Sequence, residues 1–361
     1  MRQAAFRTGI LVAGMVAAIG IALVGSASGE PAARHVSHYR NPVLNRDFPD
    51  PDVIRAGRWY YAYGTEGSAG GRHVNIQLAR SRDLVHWRYL GDALPHLPRW
   101  GDAAQVSWAP EVVHRGRRYY LYYSIVPDRL LNDFGLCLAV ASSRHPNGPF
   151  VTTSRPLYCG PTLADIDPDV HRDPRTGGWR VYWGSGGDIV TARLAHSMTR
   201  LRAPNSQPRL LLRGWSSPVH RPYEHGIEGP FVVKHGRWYY LFYSGDNCCS
   251  YPPHYATMVA RSRHAAGPFS RLAAARGGRS SVILHSNARW AGPGHVSVIR
   301  DRAGHDWLVH HAIDRRHPFL PDGGVRRVML IERIVYRHGW PTIAGASPAT
   351  GWRPAPVVPH R

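Results

Sequence analysis

Three carboxylates and one histidine stand in similar short motifs along this chain, each within two residues of a proline. They are Asp50 in Phe48-Pro49-Asp50-Pro51-Asp52, Asp167 in Asp165-Ile166-Asp167-Pro168-Asp169, Glu228 in Ile227-Glu228-Gly229-Pro230-Phe231, and His295 in Gly292-Pro293-Gly294-His295-Val296-Ser297. A fifth stretch, Trp108-Ala109-Pro110-Glu111, shares the layout. Carboxylates gathered in one partly enclosed place repel, so one of them should keep its proton at neutral pH. An acid and a base held in different protonation states by their surroundings suit hydrolysis of a glycosidic bond. Each Asp-Pro pair taken alone is an ordinary turn starter. Glu111 reads as structural. Alternation along a strand turns Asp52 and Asp169 the same way as Asp50 and Asp167, so parity does not separate them.

The elements that must position these groups form a repeat. Aromatic runs recur at 59–65, 119–124, 179–185, 238–244 and 307–312, about sixty residues apart. A Gly-bearing turn precedes each run, and an apolar stretch precedes the turn, as in a hairpin. Third strands are expected at 77–81, 138–142, 190–193 and 258–262, and Trp87, Phe150 and Phe269 mark a fourth strand in three units. Convincing 3.6-residue periodicity is missing after residue 30, so the chain reads as all-β. Five tandem units predict a five-bladed β-propeller with four-stranded blades around a central channel. Two β-sandwiches would explain neither the period nor the lack of a mid-chain linker. The predicted boundaries are a signal peptide or N-terminal anchor at 1–28, an extension at 29–40, the propeller at 41–345 and a tail at 346–361. The segment near Asn41-Pro42-Val43 is expected to pair with the tail and close the ring.

In a propeller the first strand of each blade is innermost and starts at the channel. Asp50, Asp167, Glu228 and His295 therefore face one axis. The N-terminus carries Arg2 and Arg7, an apolar run over 10–24 and small residues at 26–28, the pattern of a secretory leader. That apolar run is short for a membrane-spanning helix. Secretion is expected, with an uncleaved anchor as the alternative and no stable membrane association once the leader is cleaved. The net charge is +21, almost all from arginine, with Lys234 the single lysine. The arginines are scattered rather than blocked, so a nucleic-acid partner is not expected, while an anionic surface such as acidic polysaccharide is compatible. Four cysteines allow three disulfide connectivities, of which Cys137–Cys159 with a vicinal Cys248–Cys249 is the expected one. No Cys-x-x-Cys spacing supports zinc.

In these motifs and their order the chain resembles glycoside hydrolase family 43, whose members are five-bladed propellers acting on arabinose- and xylose-containing polysaccharides. The resemblance spans residues 41–345. It implies that Asp50 is the general base, Glu228 the general acid and Asp167 the carboxylate that tunes the acid and orients the sugar. It implies inversion, with the Asp50 and Glu228 carboxyls roughly 6.5–9.5 Å apart. His295 matches an axial histidine that lies near a central, largely water-coordinated metal, often calcium. Trp108 matches a residue bordering the sugar, and Phe48 is taken as a second substrate contact. Arg326 or Arg327, with Arg327 preferred, matches an arginine that reaches substrate. Arg172-Asp173-Pro174 resembles a fructan-cleaving motif, but it falls in a hairpin turn, so Asp173 reads as a turn residue. The implied function is a secreted, monomeric hydrolase of arabinofuranosyl linkages in polysaccharide or oligosaccharide. The alternatives are a β-xylosidase, a galactofuranosidase, and a binding propeller without catalysis.

Overall fold

The structure, a computed structural model, describes residues 37–101, 106–128, 135–160, 164–204, 207–215 and 223–358. The expected leader at 1–28 and most of the extension lie outside the described residues. No helix among the described residues is long and apolar enough to cross a membrane.

Five antiparallel sheets follow one another along the chain and make the five-bladed propeller. Blade one runs Asp52–Ala56, Trp59–Gly64, Gln77–Ser81, Trp87–Asp92 from the axis outward. Blade two runs Ser107–Arg115, Arg118–Ile125, Cys137–Ser143, Val151–Thr152, with Tyr158–Cys159 also paired to its third strand. Blade three is Asp169–Arg172, Trp179–Trp183, Ile189–Arg193, Arg209–Leu212. Blade four is Ile227–His235, Trp238–Asn247, His254–Ser262, Ser270–Arg271, with Val282–Leu284 beside its third strand.

Blade five departs from the expected four strands. Its sheet has three: Trp290–Arg300, Asp306–Asp314 and Arg327–Arg333. The exposed ladder of its last strand is covered instead by the N-terminal segment. Val43 and Leu44 donate their amides to Met329 O at 3.0 and 3.3 Å. The Asn41 side chain imitates a strand residue, accepting from Ile331 N at 3.1 Å and donating to Ile331 O at 3.2 Å. An uncovered edge would leave those groups unpaired. Ring closure to the tail falls slightly earlier than expected, between His38–Tyr39 and Arg353–Pro354.

The aromatic second strands are continuous apolar runs because each blade is buried on both faces. Successive side chains alternate between the two seams. In blade one Tyr61 and Tyr63 pack with Val112, Leu121 and Tyr123 of blade two. Tyr60 and Ala62 instead pack with Trp307, Val309 and Met329 of blade five. The same alternation builds the other three seams. Each fully buried aromatic or aliphatic side chain stabilises the seam by about 1.5–3 kcal/mol. Both expected disulfides are present, Cys137–Cys159 and Cys248–Cys249.

Candidate active site

One backbone feature recurs at the start of every blade. Asp50, Ala109, Asp167, Gly229 and His295 all have positive φ, at 52°, 47°, 61°, 56° and 47°. Four of the five are not glycine, and such a conformation costs on the order of 1–3 kcal/mol for each non-glycine residue. In blades two, four and five it coincides with a break in strand register, between Trp108 and Glu111, between Glu228 and Phe231, and between Ala291 and Ser297.

A side chain from the preceding blade holds each strained residue. Thr65 Oγ1 accepts from Ala109 N at 2.8 Å. Ser124 Oγ accepts from Asp167 N at 2.9 Å, and Ser244 Oγ from His295 N at 3.0 Å. His311 Nδ1 accepts from Asp50 N at 3.2 Å, closing the circle from blade five to blade one. At the fourth position Gly229 N donates to Asp167 Oδ2 at 3.2 Å, and Ser185 turns to Glu228. A Cβ on Gly229 would crowd the His295 ring, 3.2 Å from Nδ1.

Asp50 is buried among donors and cations. Thr65 Oγ1 donates to its Oδ2 at 2.5 Å. Arg327 Nη1 and His295 Nδ1 approach its Oδ1 at 3.2 and 3.3 Å, and His311 Nδ1, which accepts from the Asp50 amide, lies 3.1 Å from it. Burial pushes the Asp50 carboxyl up, but Arg327 first and then His295 outweigh it and hold it well below the usual carboxylate range. Asp50 is therefore an ionised carboxylate that can accept a proton.

Glu228 has a different setting. Ser185 Oγ donates to its Oε2 at 2.8 Å and Tyr255 OH to its Oε1 at 2.6 Å. Tyr255 approaches through the space left by Gly294, where a Cβ would lie 2.2 Å from the tyrosine ring. Asp167 is next to Glu228. Burial first, then the charges of Glu228 and Asp50, push the Asp167 carboxyl up to about 8 against the pull of His295. Asp167 therefore retains its proton near neutrality. His295 lies between the two sets. Its donor atoms and those of Asp167 and Glu228 fall within 4.8 Å of one another. Burial lowers its basicity, but Asp50, Asp167 and Glu228 outweigh that and raise it above the ordinary imidazole value. An ionised carboxylate on one side and carboxyls that include a protonated one on the other can perform general acid–base chemistry on a molecule between them.

A cleft of about 1300 Å³ opens beside this cluster, lined by Pro49, Thr65, Glu66, Trp108 and Arg327 among others. Residues 39–341 match Glycosyl hydrolases family 43. The chain belongs to that family, and it is a glycoside hydrolase. It is 26% identical over 315 residues to an extracellular exo-α-(1→5)-L-arabinofuranosidase of Cellvibrio japonicus, covering 82% of this chain and 86% of the relative. A probable arabinan endo-1,5-α-L-arabinosidase of Aspergillus clavatus is 29% identical over 280 residues, covering 71% and 79%. Among solved structures, the α-L-arabinanase of Cellvibrio cellulosa complexed with arabinohexaose shares the fold, with a TM-score of 0.66 at 24% identity over 82% of this chain and 95% of that one.

Within the family 43 frame, the structure brings Asp50, Asp167, Glu228, His295 and Arg327 together, and Trp108 lines the cleft. Arg326 turns away and donates to Asn45. Phe48 is corrected. It has no exposed surface, belongs to the seam between blades one and five, and packs on Gly64, so it supports the loop before Asp50 rather than substrate. Asp173 sits in the hairpin turn as expected, accepting from Arg175 N, Thr176 and Tyr239. Glu111 is buried and takes part in a tier below the reactive groups, with Asp52 and Asp169. Thr65, Ser185, Tyr255 and His311 were not singled out from sequence. A hydroxyl closing each of four aromatic strands was the available signal for Thr65 and Ser185.

Proposed function

We propose that this enzyme hydrolyses α-L-arabinofuranosyl linkages of arabinan or arabino-oligosaccharides with inversion. Asp50 deprotonates a water that attacks the anomeric carbon. Glu228 delivers a proton to the leaving oxygen, and Asp167 is the neighbouring carboxyl that tunes it. The carrying observation is the contrast in charge setting: Asp50 is held ionised by Arg327 and His295, while Asp167, beside Glu228, is raised to about 8. General acid–base help of this kind is worth about 10²–10⁴-fold per group. The arabinan-directed names of the relatives support the sugar, and their extracellular members support secretion of this chain.

For a cofactor we propose a calcium ion near the axis, held mainly through water beside His295. Calcium takes 6–8 oxygen ligands, and the chain offers two carboxylates and an imidazole nitrogen converging there. Several of their oxygens already accept hydrogen bonds, so water must complete the shell. A bound cation would favour the ionised form of the neighbouring carboxyls, and no step depends on it. Calorimetric titration of chelator-treated protein with calcium tests the site, and the absence of any heat of binding removes it.

The functional test compares an aryl α-L-arabinofuranoside, an aryl β-D-xyloside and linear arabinan, with product anomers followed by NMR. Turnover of the arabinosides, an inverted first-formed anomer and a large kcat loss in Glu228→Gln are expected. Preference for the xyloside shifts the substrate assignment. Equal background rates in wild type and Glu228→Gln on every glycoside sink the enzymatic role of the site and leave a sugar-binding propeller.

A further inference from the structure

The second and third strands of blade four meet in a loop whose tip is the vicinal disulfide Cys248–Cys249. The loop stands at the junction of three supports of the reactive groups. The strand leading into it carries Ser244, which holds His295. The strand leaving it carries Tyr255, which donates to Glu228. The tip itself reaches Arg327, whose Nη1 donates to Cys249 Sγ at 3.6 Å and to Asp50 Oδ1 at 3.2 Å. One guanidinium nitrogen therefore joins the disulfide to the carboxylate that the proposed mechanism uses as base.

The tip is organised to hold this contact. Asn247 Oδ1 accepts from Cys249 N at 3.3 Å and from Ser250 N at 3.2 Å. Asp246 Oδ2 accepts from Tyr223 N at 3.0 Å and pairs with His254 Nδ1 at 2.8 Å, and the His254 ring stacks on Tyr223 at 4.1 Å. Tyr251 meets Phe319 of the blade-five insertion edge-on at 5.3 Å. Joining adjacent cysteines removes the rotamer freedom of both side chains, so the sulfur that faces Arg327 has a fixed place. Two free thiols would not. An arginine without a fixed neighbour samples many rotamers, and fixing such a side chain has an entropy cost of up to about 2 kcal/mol.

We infer that the Cys248–Cys249 disulfide is a positioning element for catalysis: it fixes Arg327, and through Arg327 the carboxylate of Asp50. The inference rests on the reading of Asp50 as the base. Nothing in it requires the disulfide to open or close during turnover.

The test is a double-mutant cycle on an aryl α-L-arabinofuranoside, with wild type, Cys248→Ser/Cys249→Ser, Arg327→Met and the combined variant. The cysteine change is expected to lower kcat roughly tenfold with a smaller change in KM. In the Arg327→Met background the same change should cost much less, because both act through one guanidinium. Cys137→Ser/Cys159→Ser, which breaks the disulfide away from the site, should lower Tm and leave kcat alone. Should the Cys248/Cys249 variant not fold, the comparison is made on folded wild-type enzyme treated with a dithiol, with each bond's state read by alkylation and mass spectrometry. Unchanged kcat in the cysteine variant, or fully additive losses in the cycle, overturn the inference while leaving hydrolysis intact. A wild type inert on every arabinoside overturns the functional reading and the disulfide's role together.

Discussion

Thr65 binds Asp50 from the end of blade one's second strand. Its Oγ1 donates to Asp50 Oδ2 at 2.5 Å while accepting from Ala109 N of blade two at 2.8 Å. One hydroxyl thus orients the carboxylate and holds the strained start of the next blade. Thr65→Val keeps the shape and removes both bonds. Leaving a buried amide unpaired and an ionised group short of a donor costs about 1–3 kcal/mol. The expected result is a fall in kcat/KM of about 10–100-fold with a cooperative melt retained. Unaltered kinetics would show that Arg327 and the histidines suffice to orient Asp50.

Tyr255→Phe tests the other side. The tyrosine donates to Glu228 Oε1 at 2.6 Å, and its own hydroxyl is pushed well above the ordinary phenol range by burial and then by the charge of Glu228. Losing that donor disfavours the carboxylate form of the acid it bonds. The alkaline limb of kcat/KM should move to higher pH, with a drop in kcat as the carboxyl loses its fixed rotamer. A limb that stays put or moves down contradicts the pairing.

The whole pH profile follows from the two settings. The acid limb belongs to Asp50, which is held well below the usual range, so activity should persist into acidic solution. Arg327→Met removes one of the charges holding it there and should move that limb up in pH. The alkaline limb belongs to the acid side, where Asp167 is raised to about 8. Asp167→Asn removes the neighbouring carboxyl, so the remaining acid ionises more readily and the alkaline limb should move down. Identical limbs in wild type and Asp167→Asn would mean that Asp167 does not tune the acid.

Much of this was legible in the chain. The sixty-residue aromatic period and its Gly-bearing turns determined the propeller, because strands buried on both faces must be apolar throughout. The proline-flanked motifs located Asp50, Asp167, Glu228 and His295. Less legible were interactions that cross between blades. Thr65, Ser124, Ser185 and Ser244 close four aromatic strands, but a hydroxyl at a strand end acquires its role only from the neighbouring blade. His311 replaces that hydroxyl in blade five and sits inside an apolar strand, where it reads as core. Phe48, expected to touch substrate, is instead a core side chain of the seam between blades one and five, a role set by packing against a neighbouring blade. Blade five's missing strand is supplied from the far end of the sequence, beyond the reach of a local pattern.

A second tier of carboxyls gives a stability prediction with a definite sign. Asp52 Oδ2 accepts from Val112 N at 2.9 Å, Asp169 Oδ2 from Val232 N at 2.9 Å, and Glu111 is bonded to Val170 N, so each acid ties its blade to the next. Burial pushes Asp52 up to about 7 and raises Glu111 and Asp169 well above their ordinary values. Their folded-state pKa values therefore exceed the unfolded ones, near 4. Their contribution to stability is fully present below about pH 4 and is lost as pH rises through about 7, by a few kcal/mol in all. Buried His310 and His311 act in the opposite sense. Burial lowers them to about 3 and about 4, so their contribution is present above the unfolded value and lost as pH falls. Glu111→Gln separates the two effects, since the amide oxygen still accepts from Val170 and no longer titrates. Melting both proteins between pH 4 and 8 should show the wild type at its greatest relative stability at pH 4 and losing ground steadily toward pH 8. A difference in Tm that stays flat across that range would mean the inner carboxyls are not protonated in the folded enzyme.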